Sequence, residues 1–188
     1  FMRGVHTVLD RLEALPCTTV SLIHGFCLGG GLELALATRY RIVEDELRTR
    51  LGLPEVKLGI HPGFGGTMRL TRLVGAPTAM DMMLTGRSPS ARAAKKIGLA
   101  DYAVPQRHFL RAAREVIMRP PKPHQPGKLH QLAGHRLARP LWVKYLRYNV
   151  AKRASEKHYP APYALIDLWS KHADDAKIML AEEARSVA

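Results

Sequence analysis

The feature that most constrains this chain is a stretch in its first quarter. Thr18-Thr19-Val20-Ser21-Leu22-Ile23 is apolar and partly β-branched, and predicts a buried strand over 18–24. After His24-Gly25-Phe26-Cys27-Leu28 come three glycines, Gly29-Gly30-Gly31, and then Leu32-Glu33-Leu34-Ala35-Leu36-Ala37, a run of helix formers that predicts a helix over 31–38. Strand, glycine turn and helix in that order aim free backbone N–H groups at an anion. Glycine also lets a ligand approach the backbone closely, because no Cβ intervenes. Glu33 stands out as the only charge between Glu13 and Arg39. A carboxylate is rarely buried without a partner or a task. Taken singly, each part has a plainer reading: a glycine triplet before a helix is often a simple turn, and a lone helical Glu is usually solvated.

A second stretch, Leu51 to Thr67, carries another carboxylate, Glu55, beside Pro54, and another glycine-rich turn, Gly63-Phe64-Gly65-Gly66. Glu33 and Glu55 lie 55 − 33 = 22 positions apart, room for a helix, a return strand and a loop. Both can therefore reach one cavity. Paired carboxylates beside backbone donors suit proton transfer around a carbonyl-derived anion.

Together the two stretches read His24-Gly25-x-x-x-Gly29-Gly30-Gly31-x-Glu33-Leu34-Ala35, then Gly52-Leu53-Pro54-Glu55-x-x-x-Gly59-x-x-Pro62-Gly63-x-Gly65-Gly66-Thr67-x-Arg69-Leu70. Ala79 to Arg87, Ala91, Ala94, Gly98-Leu99-Ala100-Asp101 and Val104-Pro105 continue the pattern in order. This pattern resembles the crotonase (enoyl-CoA hydratase/isomerase) superfamily. Within it, Glu156 to Pro162 resembles the region that joins the hydratase part of the bacterial multifunctional fatty-acid oxidation α subunits to their dehydrogenase part. The fold implied is α/β: part of a crotonase-like β-β-α superhelix over 1–118, then a basic connector and C-terminal helices over 119–188. The family carries a long segment ahead of the position of Phe1, so an N-terminally truncated domain is expected, lacking the loop with the second oxyanion donor. The loop Glu44–Arg50 is expected to hold a small insertion relative to the family.

The resemblance implies an acyl-CoA substrate and enoyl-CoA hydration in fatty-acid β-oxidation. Glu33 and Glu55 are then the catalytic pair that activates a water and delivers a proton. Gly30 supplies an oxyanion-hole N–H at a helix start, and the Gly63 N–H holds the water. Two carboxylates argue for hydration, whereas an isomerase works with one mobile acid/base. Isomerase or other acyl-CoA chemistry, and an inactive fragment that keeps only assembly surfaces, are the alternatives. No cofactor is implied beyond the coenzyme A thioester as substrate. A homo-oligomer or a fatty-acid oxidation complex is the expected assembly, and the cytoplasm the expected compartment.

The remaining residues bound the problem. With 188 residues and 46% hydrophobic content the chain can build one real core. No apolar run is long enough to span a bilayer. Cys17 and Cys27 have no framework spacing and read as small buried hydrophobes in a reducing compartment. Histidines are scattered, so no metal site is expected. The net charge of +13 is concentrated in 119–158, from Arg119 and Lys122 to Arg153 and Lys157, against the single acid Glu156. Without a nucleic-acid reader motif this predicts a solvated face, or one meeting an acidic or phosphorylated partner, and no nucleic-acid function.

Periodicity and caps predict helices over 4–15, 65–73 (Thr67 capping, Arg69 and Arg72 outside), 78–84, 91–97 (capped by Ser90) and 108–118. Tyr40–Val43 and Tyr102–Val104 read as strands, and 47–51 as a possible return strand. Pro120 to Gly127, with its four prolines, reads as an extended connector. Helices are expected over 141–154 and 163–187. The second has an apolar stripe through Ile166, Trp169, Ala173, Ala176, Leu180 and Ala184, and Asp174, Asp175, Glu182 and Glu183 outside.

Overall fold

A computed structural model of the chain describes residues 2–127, 130, 134–153 and 155–186. Helix α1 (Met2–Glu13) precedes strand β1 (Val20–Ile23). The expected glycine turn holds one more strand, β2 (Phe26–Leu28), before α2 (Gly30–Leu36). Next come β3 (Tyr40–Glu44), β4 (Arg50–Gly52), a 3₁₀ turn (Glu55–Leu58), α3 (Gly66–Val74) and α4 (Ala76–Thr85). Helix α5 (Ala91–Lys96), β5 (Tyr102–Val104) and α6 (Phe109–Met118) follow, and α7 (Arg139–Ala151), α8 (Ala161–His172) and α9 (Ala176–Ser186) end the described chain.

The named strands pair in parallel, and one isolated antiparallel bridge joins Arg50 to Ser90. One sheet runs β1-β3-β5, in register through Val20↔Tyr40 and Ile42↔Tyr102. The other pairs β2 with β4 through Phe26↔Arg50. The chain passes twice from the first sheet to the second, from β1 to β2 and from β3 to β4, and returns to the first through α2 and finally at β5. Parallel strands buried under helices read as continuous apolar runs rather than alternating ones, as Ile42-Val43 does. Leu32, Leu51, Leu53, Leu70 and Met80 form the centre of the core, and Leu146, Tyr163, Ile166, Trp169 and Met179 from the C-terminal helices belong to the same cluster.

Buried Arg41 fixes the corner between α2 and β3. Its Nε donates to the Leu99 carbonyl at 2.9 Å, and its Nη1 to that of Thr38 at 2.7 Å. Asp101 accepts from the Arg41 backbone N–H at 2.8 Å, so one side chain joins α2, β3 and the approach to β5. Residues 120–127 run without helix or strand, pinned where the Tyr40 hydroxyl donates to the Pro121 carbonyl at 2.5 Å. Ser90 caps α5, accepting from the Ala93 N–H.

Several expectations need correction. The single helix over 163–187 is two helices, α8 and α9. Asp175 starts the second by accepting from the N–H groups of Lys177 and Ile178 at 2.9 and 3.0 Å. Val187 lies outside the described residues, as does Ala154 at the expected end of α7. The break resets the helical phase, so α9 buries Met179, Leu180 and Glu183, and Glu183 is not on the outer face. Arg69 is also buried, at 3% exposure, because α1 covers it: Asp10 accepts from its Nη2 at 2.5 Å and Glu13 from its Nε at 2.9 Å. Thr67 is not the cap of α3; Gly65 occupies that position. Cys17 is exposed and not a core residue, while Cys27 is half-buried and packs against the core. Of the described basic residues in 119–158 most are exposed, but Arg139 is buried against Asp174 at 2.5 Å.

Candidate active site

The site is built where the two glycine-rich turns meet. Gly29 precedes α2 with φ 55° and ψ −130°, a backbone conformation open to glycine and little else. Its N–H donates to the Gly52 carbonyl at 3.0 Å, tying the turn to β4, and its carbonyl accepts from Leu32 and Glu33. Gly30 is the first residue of α2, so its N–H has no partner within the helix, and among the described residues it engages no acceptor. The Phe64 ring lies over Gly30, so near that a Cβ there would stand 3.2 Å from it.

Glu33 points inward from α2 at 2% exposure. Its Oε1 accepts from the N–H groups of Phe64 and Gly66 at 2.7 and 2.8 Å. These bonds favour the ionised form, but burial and then the Glu183 charge outweigh them, with a smaller push from Glu55. The result is a carboxyl pushed up to about 7. Glu55 begins the 3₁₀ turn and reaches Gly29, its Oε1 lying 3.3 Å from where a Gly29 Cβ would be. Its Oε2 is buried and has no hydrogen-bond partner among the described residues. Burial raises Glu55 to about 6; its own backbone N–H opposes this and Glu183 adds to it. Gly63 precedes Phe64, and its carbonyl accepts from His6 Nε2 at 2.8 Å.

Sequence reasoning missed a third carboxylate. Glu183 of α9 is fully buried and accepts from the Gly65 N–H at 2.5 Å, from the Thr67 hydroxyl and from His6 Nε2 at 3.2 Å. The turn from Phe64 to Thr67 thus alternates its donors, Phe64 and Gly66 to Glu33, Gly65 and Thr67 to Glu183. A Cβ on Gly66 would stand 2.8 Å from Glu33 Oε1, so glycine there is required by close approach. The signal that places Glu183 is the Asp174-Asp175 pair, since a cap at Asp175 resets the phase of the last helix. His6 carried no signal beyond its place on the apolar side of α1.

Chemically, the corner offers one buried and one half-buried carboxyl, both of raised proton affinity, beside backbone N–H groups. That equipment can hold a water, move a proton and stabilise an oxyanion. Among the described residues no group of His, Cys, Asp and Glu is arranged to hold a metal ion, and no helix is long and apolar enough to cross a membrane. A cavity of about 450 Å³ lies elsewhere, between α4 and α7, against Leu84, Trp142 and Tyr145.

A sequence family described as Enoyl-CoA hydratase/isomerase matches residues 1–133. The fatty acid oxidation complex subunit alpha of Shewanella baltica is 46% identical over 166 residues, which is 86% of this chain and 23% of the relative. The same subunit of Shewanella sp. (strain MR-4) matches to the same extent. The chain therefore spans about a quarter of the length of these curated relatives. Among solved structures, an enoyl-CoA hydratase from Bacillus anthracis is 27% identical with a TM-score of 0.59, covering 100% of this chain and 67% of that one. An enoyl-CoA hydratase from Mycobacterium avium subsp. paratuberculosis has a TM-score of 0.64 at 17% identity, covering 99% and 62%, a likeness of fold alone.

Proposed function

This chain belongs to the enoyl-CoA hydratase/isomerase family, and from that premise we propose that it carries the proton-transfer centre of an enoyl-CoA hydratase of fatty-acid β-oxidation. The substrate is a trans-2-enoyl-CoA thioester, and no cofactor takes part. The observation that carries the reading is the pair Glu33 and Glu55, two carboxyls raised to about 7 and about 6 around one glycine corner. Between those values the pair holds about one proton, so one carboxyl serves as base while the other serves as acid.

In the proposed reaction a water sits between the two carboxyls, with the Gly63 N–H as a further donor. The ionised carboxyl takes a proton from the water as its oxygen bonds to C3. The electron pair of the double bond moves toward the thioester oxygen, where the Gly30 N–H stabilises the enolate. The protonated carboxyl then delivers its proton to C2 on the same face. Water is added, and the carboxyl that accepted a proton and the one that donated it restore their states by exchange. An oxyanion donor of this kind is typically worth ~3 kcal/mol of barrier. The relatives named as subunits of a fatty acid oxidation complex support an assembly of that kind; a homo-oligomer is the alternative, and the cytoplasm is the proposed setting.

The test is hydration of crotonyl-CoA, followed by loss of ultraviolet absorbance. Glu33→Gln and Glu55→Gln are each expected to lower the rate by ~10²–10⁴ fold, the usual worth of general acid–base catalysis. No turnover in the wild-type protein, or turnover that survives both substitutions, refutes the proposal. A second reading, double-bond isomerase, is favoured by one asymmetry: Glu33 is held by two N–H groups while Glu55 has an unpartnered oxygen. Isomerisation of a 3-enoyl-CoA that persists in Glu33→Gln but not in Glu55→Gln would select it.

A further inference from the structure

Helix α9 grips the glycine-rich turn at two points. Glu183 takes the Gly65 N–H and the Thr67 hydroxyl, and three residues on Ser186 meets His61 Nε2 at 2.7 Å. His6 of α1 braces both sides, because its Nε2 lies against two acceptors, Gly63 O and Glu183 Oε1, and so carries the hydrogen. The segment 61–67 is thereby held from outside by α9 and α1, and from inside by Glu33.

We propose that Glu183, braced by His6, is a positioning residue for the proton-transfer pair: it presents the Phe64 and Gly66 N–H groups to Glu33 and fixes Gly63. The proposal rests on the reading of Glu33 and Glu55 given above. Three physical points support it. A fully buried carboxylate with no solvent contact must have every available donor, and the turn supplies them. The donors of the turn alternate, Phe64 and Gly66 to Glu33 and Gly65 to Glu183, so the two carboxylates hold the same three residues between them. Finally, Glu183 acts through charge as well as geometry, since it raises both Glu33 and Glu55. The same contact raises His6, chiefly through its hydrogen bond to Glu183.

The charged groups around Glu183 come from several elements. They are His6 on α1, with Arg69 of α3 near it, Glu33 on α2 and Glu55 on the 3₁₀ turn. Helix α8 also packs on α9, but its Asp167 is engaged with Arg147 at 2.5 Å and its Lys171 is exposed. The balance at Glu33 is therefore burial, joined by repulsion from Glu183 and Glu55, against two backbone donors.

The experiment compares Glu183→Gln and Glu183→Ala with the wild-type protein by two independent readouts. One is the carboxyl titration of Glu33 followed by ¹³C NMR, and the other is the pH profile of crotonyl-CoA hydration. Glu183→Gln retains an acceptor oxygen for Gly65 and Thr67 but loses the charge. It is expected to lower the Glu33 midpoint below about 7 and to move the corresponding limb of the pH profile to the acid side. Glu183→Ala releases the turn, and kcat is expected to fall by ~10²-fold, the scale of a misplacement near 1 Å. A Glu33 midpoint and a pH profile unchanged in Glu183→Gln overturn the proposal, whether or not the alanine variant folds. A midpoint that falls in a protein without hydratase activity leaves the hold of Glu183 on Glu33 standing and removes the hydratase reading instead.

Discussion

Replacing Glu33 by Gln should stabilise the protein while it disables the chemistry, and the gain should depend on pH. In the folded chain Glu33 is raised from 4.5 to about 7, first by burial and then by the Glu183 charge. The folded state thus holds a proton over a range where the unfolded state has released it. Stability falls as pH rises from about 4.5 to about 7, and above that the full penalty remains. At 1.36 kcal/mol for each pH unit the penalty is about 3 kcal/mol. Glu33 is almost wholly buried, so solvent screening takes little of this away. A Gln amide oxygen can accept the same bonds from Phe64 and Gly66 without ionising. The difference between variant and wild type should be near zero at pH 4 and approach about 3 kcal/mol at pH 8.5, roughly 6–12 °C in midpoint for a domain this size. Urea and thermal unfolding followed by circular dichroism at the two pH values measure it. A difference that does not grow with pH would refute the argument that Glu33 is held against its own ionisation.

Three further outcomes are expected. Gly66→Ala puts a methyl 2.8 Å from Glu33 Oε1, so it should displace that carboxylate and lower hydration by roughly 10²-fold; a variant with wild-type kcat would refute the close approach. The double change Asp10→Asn with Glu13→Gln strands the buried Arg69 charge and should cost about 3 kcal/mol, whereas Arg69→Met should cost less, because the released carboxylates are half-exposed and rehydrate; equal costs in urea titrations would contradict this. Burial pushes the Cys27 thiol up to about 11, leaving about a thousandth of it as thiolate at pH 8, so iodoacetamide at that pH should label exposed Cys17 first; equal labelling by mass spectrometry would be inconsistent with the structure.

The parts legible in the sequence are those fixed by local chemistry. Three β-branched or apolar positions followed by glycines announce β1 and the entry to α2, and Ser90 marks the start of α5 because its role needs no distant partner. Glu33 was conspicuous as a charge with no neighbour to explain it, and its burial follows from the leucines and alanines on either side. Arg69 and Glu183 were misread for the opposite reason. Each is a charge whose burial depends on an element far along the chain, α1 for the one and the 65–67 turn for the other. A single helix assumed over 163–187 also carried the wrong phase past Asp175, which turned the buried face by one position. The short strand β2 was hidden because its three residues, Phe26 to Leu28, pair only with β4, and nothing local distinguishes them from a loop.

The contact between Gly65 and Glu183 spans 118 positions, and this has a consequence for biosynthesis. At ~5–20 residues per second, the ribosome needs ~6–24 s to make that intervening length. During this interval β1 to β4 and the glycine corner have emerged, but the outer hand that holds the corner has not been made. A nascent chain arrested short of α9 should therefore expose the 59–67 segment to protease, and completion of α9 should close it.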